Sequence, residues 1–227
     1  MLDVTAVIPI RANSKGLPGK NTRDLAGKPL FHHSVDCARA AGIEDIIVAT
    51  DNQDLLDHPS DHYKLFPRSK YSARDDAPTH EVLIDLIESW NLHARLIVLL
   101  QATSPLRRPE TIRSVLKVME DPDARLGCTV SEIDNSLLKS GTICDGFLSP
   151  ILNSRTLFTP RQSLPSIFKM NGSVYAFSGS WLIKNGSLET DMIKIVQSSP
   201  KEAIDIDTLD DFIQAEQFLA EPETCFE

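Results

Sequence analysis

Three stretches of this 227-residue chain carry charge or hydrogen-bonding groups at spacings a folded scaffold can use. The first is IPIRANSKGLPGKN, Ile8 to Asn21, where Arg11, Lys15 and Lys20 share a loop with Gly16, Pro18 and Gly19. Glycines let backbone N–H groups turn toward an anion, and Arg and Lys add forked and point-charge donors, so polyphosphate is the natural guest. Neither common phosphate loop is present: the glycines of GLPGKN are too close together for a P-loop, and GxGxxG is absent. The rival reading is a solvated basic loop made of turn residues. The second stretch is QATSPLRRPE. Gln101, Thr103 and Ser104 donate and accept hydrogen bonds and Arg107 adds a cation, although a polar loop before a Pro-initiated helix would look the same. The third is AIDIDTLDDF. In a strand, Asp205 and Asp207 point to one face and Ile204 and Ile206 to the other. Neighbouring carboxylates repel unless a cation lies between them, and Mg²⁺ prefers carboxylate together with phosphate oxygens. Asp207 also stands where a helix N-cap would, while Asp210 and Asp211 read as first-turn carboxylates.

The charge distribution supports a local anion site rather than a basic surface. Residues 188–227 hold 11 acidic and 2 basic residues, whereas the other 187 balance at 21 each. Residues 1–30 hold five basic and two acidic. No extended basic face remains to neutralise many phosphates, which argues against nucleic acid as a partner. The start, MLDVTAVIPI, lacks a basic region and is broken by Pro9, so no signal peptide is expected; the aliphatic run Leu96 to Leu100 is too short to span a bilayer. Cys37, Cys128, Cys144 and Cys225 form no CxxC pair, which suits reduced thiols in a cytoplasmic protein. The six histidines show no HExxH spacing, and His32 and His33 fall on a predicted helix, so no general base is evident.

The elements that must position these stretches follow from hydrophobic periodicity. Val4 to Ile8, Asp45 to Thr50 and Leu96 to Leu100 read as strands buried on both faces. Helices are predicted from Phe31 to Gly42, from Thr79 to Leu92 and from Pro109 onward. This alternation implies right-handed crossovers and a mainly parallel sheet with ligands beyond the strands' carboxyl ends. After the strand Leu126 to Ile133 the rhythm breaks: residues 134–164 are turn-rich and read as an inserted arm. SVYAFS and MIKIVQ are further strands, and TLDDFIQAEQFLA a closing amphipathic helix. One domain, residues 1–227, is expected.

Taken together, IPIRANSKGLPGKN with LAGKPL, LLQATSPLR, RQSLPSIFKMNGSVYAF and AIDIDTLDDFIQAE resemble, in order, the CMP-sialic acid synthetase (acylneuraminate cytidylyltransferase) family. The resemblance runs from about Val4 to Leu219. It implies a three-layer, Rossmann-like nucleotidyltransferase with a mixed, mainly parallel sheet and an arm, residues 134–164, that makes a homodimer. By match, Arg11, Ser14, Lys15, Lys20 and Asn21 contact CTP, and Arg68 and Asp75 belong to the next nucleotide-side motif. Gln101, Thr103, Ser104 and Arg107 fall where sugar and nucleotide meet, and Lys139, Arg161, Gln162, Asn171 and Tyr175 lie near the acyl sugar. Asp205 and Asp207 match a pair that binds Mg²⁺ or Mn²⁺.

The implied reaction joins CTP to a nonulosonic acid of the sialic acid type, giving the CMP-sugar and pyrophosphate. The sugar's anomeric hydroxyl attacks the α-phosphorus in line, so catalysis should be mostly positioning and electrostatics, with Arg11, Lys15 and Lys20 offsetting the leaving charge and Asp207 at the metal. Two alternatives stay open: the same chemistry on legionaminic, pseudaminic or another 2-keto-3-deoxy sugar acid, and a catalytically silent nucleotide-binding module.

Overall fold

Apolar residues at every position, rather than every second one, mark strands covered on both faces, and that rule builds the centre of this sheet. A computed structural model describes residues 3–12, 17–69 and 78–221. The chain opens with β1 (Val4–Ile10), then a tight hairpin of β2 (Asp24–Leu25) and β3 (Lys28–Pro29) that turns through Ala26 and Gly27, both at positive φ. Next come α1 (Leu30–Ala40), β4 (Asp45–Thr50), α2 (Gln53–Asp57), β5 (Lys64–Pro67), α3 (Thr79–Ser89), β6 (Leu96–Leu100), α4 (Pro109–Val118) and β7 (Leu126–Ile133). The arm holds β8 (Gly141–Cys144), β9 (Phe147–Pro150) and α5 (Ser154–Phe158). β10 (Ile167–Ser178), α6 (Gly179–Asn185), β11 (Ile193–Gln197) and α7 (Leu209–Ala220) complete the chain.

Seven strands form one sheet in the order β11-β7-β10-β6-β1-β4-β5. All run the same way except β10, which is antiparallel to both β6 and β7. The fold is therefore the mixed, mainly parallel α/β architecture expected. One face carries Ala6, Ile8, Val48 and Val98 under α1 and α4; the other carries Val7, Ile47, Ile97 and Leu99 under α3 and α6. No helix among the described residues is long and apolar enough to cross a membrane.

Three departures from expectation have local causes. First, β1 continues through Pro9 to Ile10. Pro9 lies beyond Val7, the last residue paired with β6, so one side of the strand is free for a residue without an N–H. Second, β5 was hidden, because only Phe66 of its four residues is buried and a polar stretch precedes it. Third, residues 204–207 belong to no sheet or helix, so the expected strand is corrected to a strap; the Ile206 N–H goes to the Thr103 carbonyl at 2.8 Å instead of to a neighbouring strand.

β10 is twice the length of the SVYAFS segment read from sequence. Only Val174 to Ser178 pair with β6, while the first half pairs with β7 alone across a register shift between Met170 and Tyr175. The two strands thus leave the sheet as a ribbon, with the arm at its tip. Asp145 and Gly146, both at positive φ, close the β8–β9 hairpin as a two-residue turn of the kind that matches strand twist.

A separate small core decides how the site is assembled. Leu25 and Leu30 of the hairpin region pack against Ile206, Phe212 and Ala215, with Leu17, Ile204 and Leu219 at the margin. α7 and the strap before it are thereby clamped to the loop after β1. Arg23 lies over the Phe212 ring at 5.1 Å, adding a cation–π contact to the apolar seal. Phe212→Ala should therefore lower the unfolding free energy by about 3–5 kcal/mol. Hydrogen exchange should accelerate in α7 well before it does in β6.

Candidate active site

The basic loop begins where β1 ends. Gly19, at φ 67, starts a single 3₁₀ turn over Lys20–Thr22, a left-handed step that glycine takes without strain. The turn carries Lys20 and Asn21 inward, each 8% exposed. Asn21 Nδ2 donates to the Arg11 carbonyl at 3.2 Å, which ties the two ends of the loop together. The Ala12 N–H donates to Asp51 Oδ1 at 2.8 Å, so the residue after β4 holds the loop from the other side. Arg68, buried at the end of β5, is pushed below the usual guanidinium range by burial and then by the charge of Arg11, while Asp51 pulls the other way. Arg11 and Arg68, both expected at the nucleotide, are thus brought together at the sheet's carboxyl edge, and Asp51, whose charge acts on Arg68 and whose Oδ1 holds the Ala12 N–H, is a residue sequence reasoning missed. Ser14, Lys15 and Asp75 lie outside the described residues.

Lys20 is the pivot. Its Nζ donates to the Ile206 carbonyl at 2.6 Å and to Asp207 Oδ1 at 2.9 Å, across 186 and 187 residues of sequence. Two of its three donor directions are committed to the strap, and among the described residues the third has no hydrogen-bond partner. Asp207 itself is 74% exposed. It is not the helix cap: Thr208 holds that position, accepting from the Asp211 N–H while Asp211 accepts from Thr208 in a reciprocal capping box. Asp207 is left with only its backbone N–H bonded into that motif, to Asp211 Oδ2 at 3.1 Å.

Asp205 lies in the strap that the Ile206 N–H ties to the Thr103 carbonyl at 2.8 Å. Burial pushes its carboxyl above the usual range, the Thr103 hydroxyl and Lys20 pull it down, and Asp207 and Asp211 push it up again. The group is only partly dehydrated, since its residue keeps substantial contact with solvent. A hard divalent cation fits this donor set: two carboxylates two residues apart, one of them raised, suit an ion that completes its shell with phosphate oxygens and water. Among the described residues no cluster of three or more His, Cys, Asp or Glu offers a complete protein cage.

The loop after β6 behaves differently from its sequence. Arg107, expected at the substrate, is turned into the framework. Its Nε donates to the Ser173 carbonyl and hydroxyl at 2.9 and 3.1 Å, one terminal nitrogen to the Ser34 hydroxyl at 3.0 Å, and the other to the Gln101 carbonyl at 2.7 Å. Burial pushes its pKa down to about 10, and the buried Cys37 thiol that donates to the Arg107 carbonyl is pushed up to about 11. Gln101 contributes its carbonyl to that knot, and Ser104 is buried with its N–H on Gln101, so Thr103 is the residue of this loop that faces the acidic strap.

Asn171 is likewise consumed. Its Oδ1 accepts from the Thr129 hydroxyl at 2.6 Å and the Ser173 N–H at 3.2 Å, while its Nδ2 donates to the Ser131 and Ser198 hydroxyls at 2.8 and 2.7 Å. That full complement holds the irregular stretch of β10 open. Tyr175, half-buried in the same strand, is near enough to Asp205 to feel its charge: its phenol is raised first by burial, then by Cys128 and Asp205. Lys139, Arg161 and Gln162 lie in the arm, not at the strap. Arg161 pairs with Asp134 at 3.3 Å, and with Gln162 it lines a cavity of ≈ 400 Å³ at the arm's root.

The sequence model of the cytidylyltransferase family matches residues 5–172. The chain is 33% identical over 229 residues to the CMP-N,N'-diacetyllegionaminic acid synthase of Legionella pneumophila, covering 95% of this chain and 96% of that one. It is 28% identical over 212 residues to the N-acylneuraminate cytidylyltransferase of Streptococcus agalactiae, covering 91% of this chain but 51% of that relative, about half its length. Among solved structures, CMP:2-keto-3-deoxy-manno-octonic acid synthetase complexed with CTP superposes with a TM-score of 0.71 at 20% identity, over 96% of this chain and 98% of that one. That likeness bears on the fold. The matched span and the full-length relative together place the chain in the cytidylyltransferase family, as a nucleotidyltransferase of the acylneuraminate cytidylyltransferase type.

Proposed function

We propose that the protein joins CTP to a nonulosonic acid, releasing pyrophosphate and forming the CMP-sugar acid, and that the acid is of the N,N'-diacetyllegionaminic type. The observation that carries the reaction is the Lys20 bridge, which sets a basic, anion-seeking loop against an acidic strap at the carboxyl edge of the sheet. The choice of acid is supported by the Legionella relative, which is both more similar and matched over nearly its whole length. A sialic acid acceptor becomes the second reading.

In this reaction Arg11, Arg68 and the loop backbone bind the triphosphate, with Lys15 and Ser14 assigned the same work by their place in the motif. Lys20 uses its remaining donor direction on a phosphate oxygen while it stays tied to the strap, which stabilises charge on the leaving side. Asp205 and Asp207 would hold Mg²⁺ or Mn²⁺, which when bound supplies Lewis-acid stabilisation of the phosphate oxygens. Thr103 and Tyr175 border the position of the attacking hydroxyl. Arg161, Gln162 and Lys139 reach an acceptor from an arm, which suits a site completed by a second copy. Ile143, Phe147 and Phe158 of the arm are 82%, 79% and 86% exposed, an apolar surface of the sort a partner protomer covers.

Four expected outcomes follow from these roles. Pyrophosphate release should require CTP and be fastest with N,N'-diacetyllegionaminic acid in a panel of nonulosonic acids; equal turnover with ATP would defeat the nucleotide assignment. Asp207→Asn leaves the Thr208 cap untouched, so its rate should fall roughly 10²–10³-fold with thermal stability nearly unchanged, whereas Asp210→Asn keeps most activity. Asp205 adds a stability signature. A carboxyl raised in the folded state holds its proton more tightly there than when unfolded, so it lowers stability as pH rises from the ordinary carboxylate range through its raised value. Asp205→Asn should thus cut activity yet unfold at a higher temperature than wild type at pH 7 without metal; a lower unfolding temperature would contradict this. Finally, sedimentation should show a dimer that Phe147→Asp with Phe158→Asp converts to monomers.

A further inference from the structure

Helix α4 starts without a side-chain cap from its own turn: Arg108 stands at the N-cap, Pro109 follows, and neither supplies an acceptor. The acceptor comes from Glu202, far along the chain. One carboxylate oxygen receives the Arg108 N–H at 3.2 Å and the Thr111 hydroxyl at 2.5 Å. The other receives the Ser199 N–H at 3.1 Å and the Ser199 hydroxyl at 3.0 Å. Glu202 is 6% exposed and forms no ion pair among the described residues, so its buried carboxylate is balanced by four donors, a helix N-terminus and the nearby charge of buried Arg107.

The placement matters because of what lies on either side. Glu202 fixes residues 199–203 to the far end of the loop that follows β6. Three residues on, the strap is fixed to the near end of the same loop by the Ile206 N–H, which donates to the Thr103 carbonyl at 2.8 Å. Lys20 then binds Ile206 and Asp207 from the opposite side. We infer that Glu202 is a positioning residue: its carboxylate sets where Asp205 and Asp207 stand relative to Thr103 and Lys20. The role rests on the cytidylyl transfer proposed above. Each carboxylate oxygen receives one backbone N–H, which can only donate, so a glutamine, which must turn its own NH₂ toward one of them, cannot reproduce the grip.

The test compares E202Q, T111V and E110Q with the wild-type chain in pyrophosphate release from CTP and acceptor, alongside melting curves. E202Q should lose roughly 10–100-fold in kcat, the scale for removing a partner that orients a site group, while KM for CTP holds because the basic loop is untouched. T111V, lacking one donor, should show a smaller loss in the same direction. E110Q removes another first-turn carboxylate of α4, one that is exposed and does not touch the strap, and should match wild type. Combined with Asp207→Asn, E202Q should cost less than the product of the two single losses, because both act through one segment. A folded E202Q with wild-type kcat and only a lower melting temperature overturns the inference, as do strictly multiplicative losses in the double variant. Should E202Q fail to fold, T111V decides, and wild-type kcat there overturns it. A wild-type chain that releases no pyrophosphate removes the reaction and this role together, a result distinct from an active wild type with an unimpaired E202Q.

Discussion

Lys20 is a cation that the interior must neutralise. At 8% exposure its ammonium has lost most of its water, and the acceptors that replace it come from the last quarter of the chain. The loop after β1 and the strap before α7 are therefore obliged to meet, whatever else the fold does. The small core of Leu25, Leu30, Ile206 and Phe212 is what makes the meeting durable, because it buries apolar side chains on both partners at once. An ion pair with one exposed member contributes little stability by itself. Here the apolar clamp supplies the stability and the pair supplies the register. The positive and negative halves of the site are thus set by one local structure rather than by two loops that drift independently.

The same economy explains why two polar residues with the look of substrate contacts turn inward. β10 is reversed among parallel neighbours and changes register between Met170 and Tyr175, which leaves backbone groups without ladder partners. Arg107 takes the Ser173 carbonyl, and Asn171 takes the Ser173 N–H together with hydroxyls from β7 and from the residue after β11. A buried guanidinium with every nitrogen engaged is costly to form and costlier to break, because removing one partner strands the rest. These residues hold the ribbon that carries the arm.

Much of this was legible in the residues. Unbroken apolar runs gave β1, β4 and β6, and Pro109 with the Ile112 and Val115 stripe gave α4, because burial on both faces and helix entry each leave a local pattern. The basic loop and the Asp205–Asp207 pair were legible as chemistry because charge of one sign was concentrated in few residues. What stayed hidden was set by distant partners. The alternation of Ile204 and Ile206 is that of a strand, but the ladder it would need is taken up by the Thr103 carbonyl and by Lys20. Asp207 looked like a cap until Thr208 and Asp211 were seen to form a reciprocal one. Glu202 carried no signal at all: one acidic residue among many, whose four donors are scattered over Ser199, Arg108 and Thr111.

The acidic strap sorts its carboxylates by the donors each one meets. Glu202 receives N–H groups and hydroxyls on both oxygens, while Asp211 accepts three donors on Oδ2 and is held below the usual carboxylate range chiefly by Thr208. Asp205 is shifted the other way, raised by burial with a single hydroxyl and a shared lysine in partial compensation, and Asp207 keeps most of its surface in water. Asp205 and Asp211 are shifted in opposite directions within seven residues of one acidic segment, the one by burial and the other by the donors it meets. Glu202 and Asp211 bracket Asp205 and Asp207, so the backbone between them is held at both ends, with Lys20 bonded to Asp207 Oδ1 from the opposite side. A rigid frame around underpaid charge is the arrangement that electrostatic catalysis requires, since reorganisation is then settled during folding and not during the reaction.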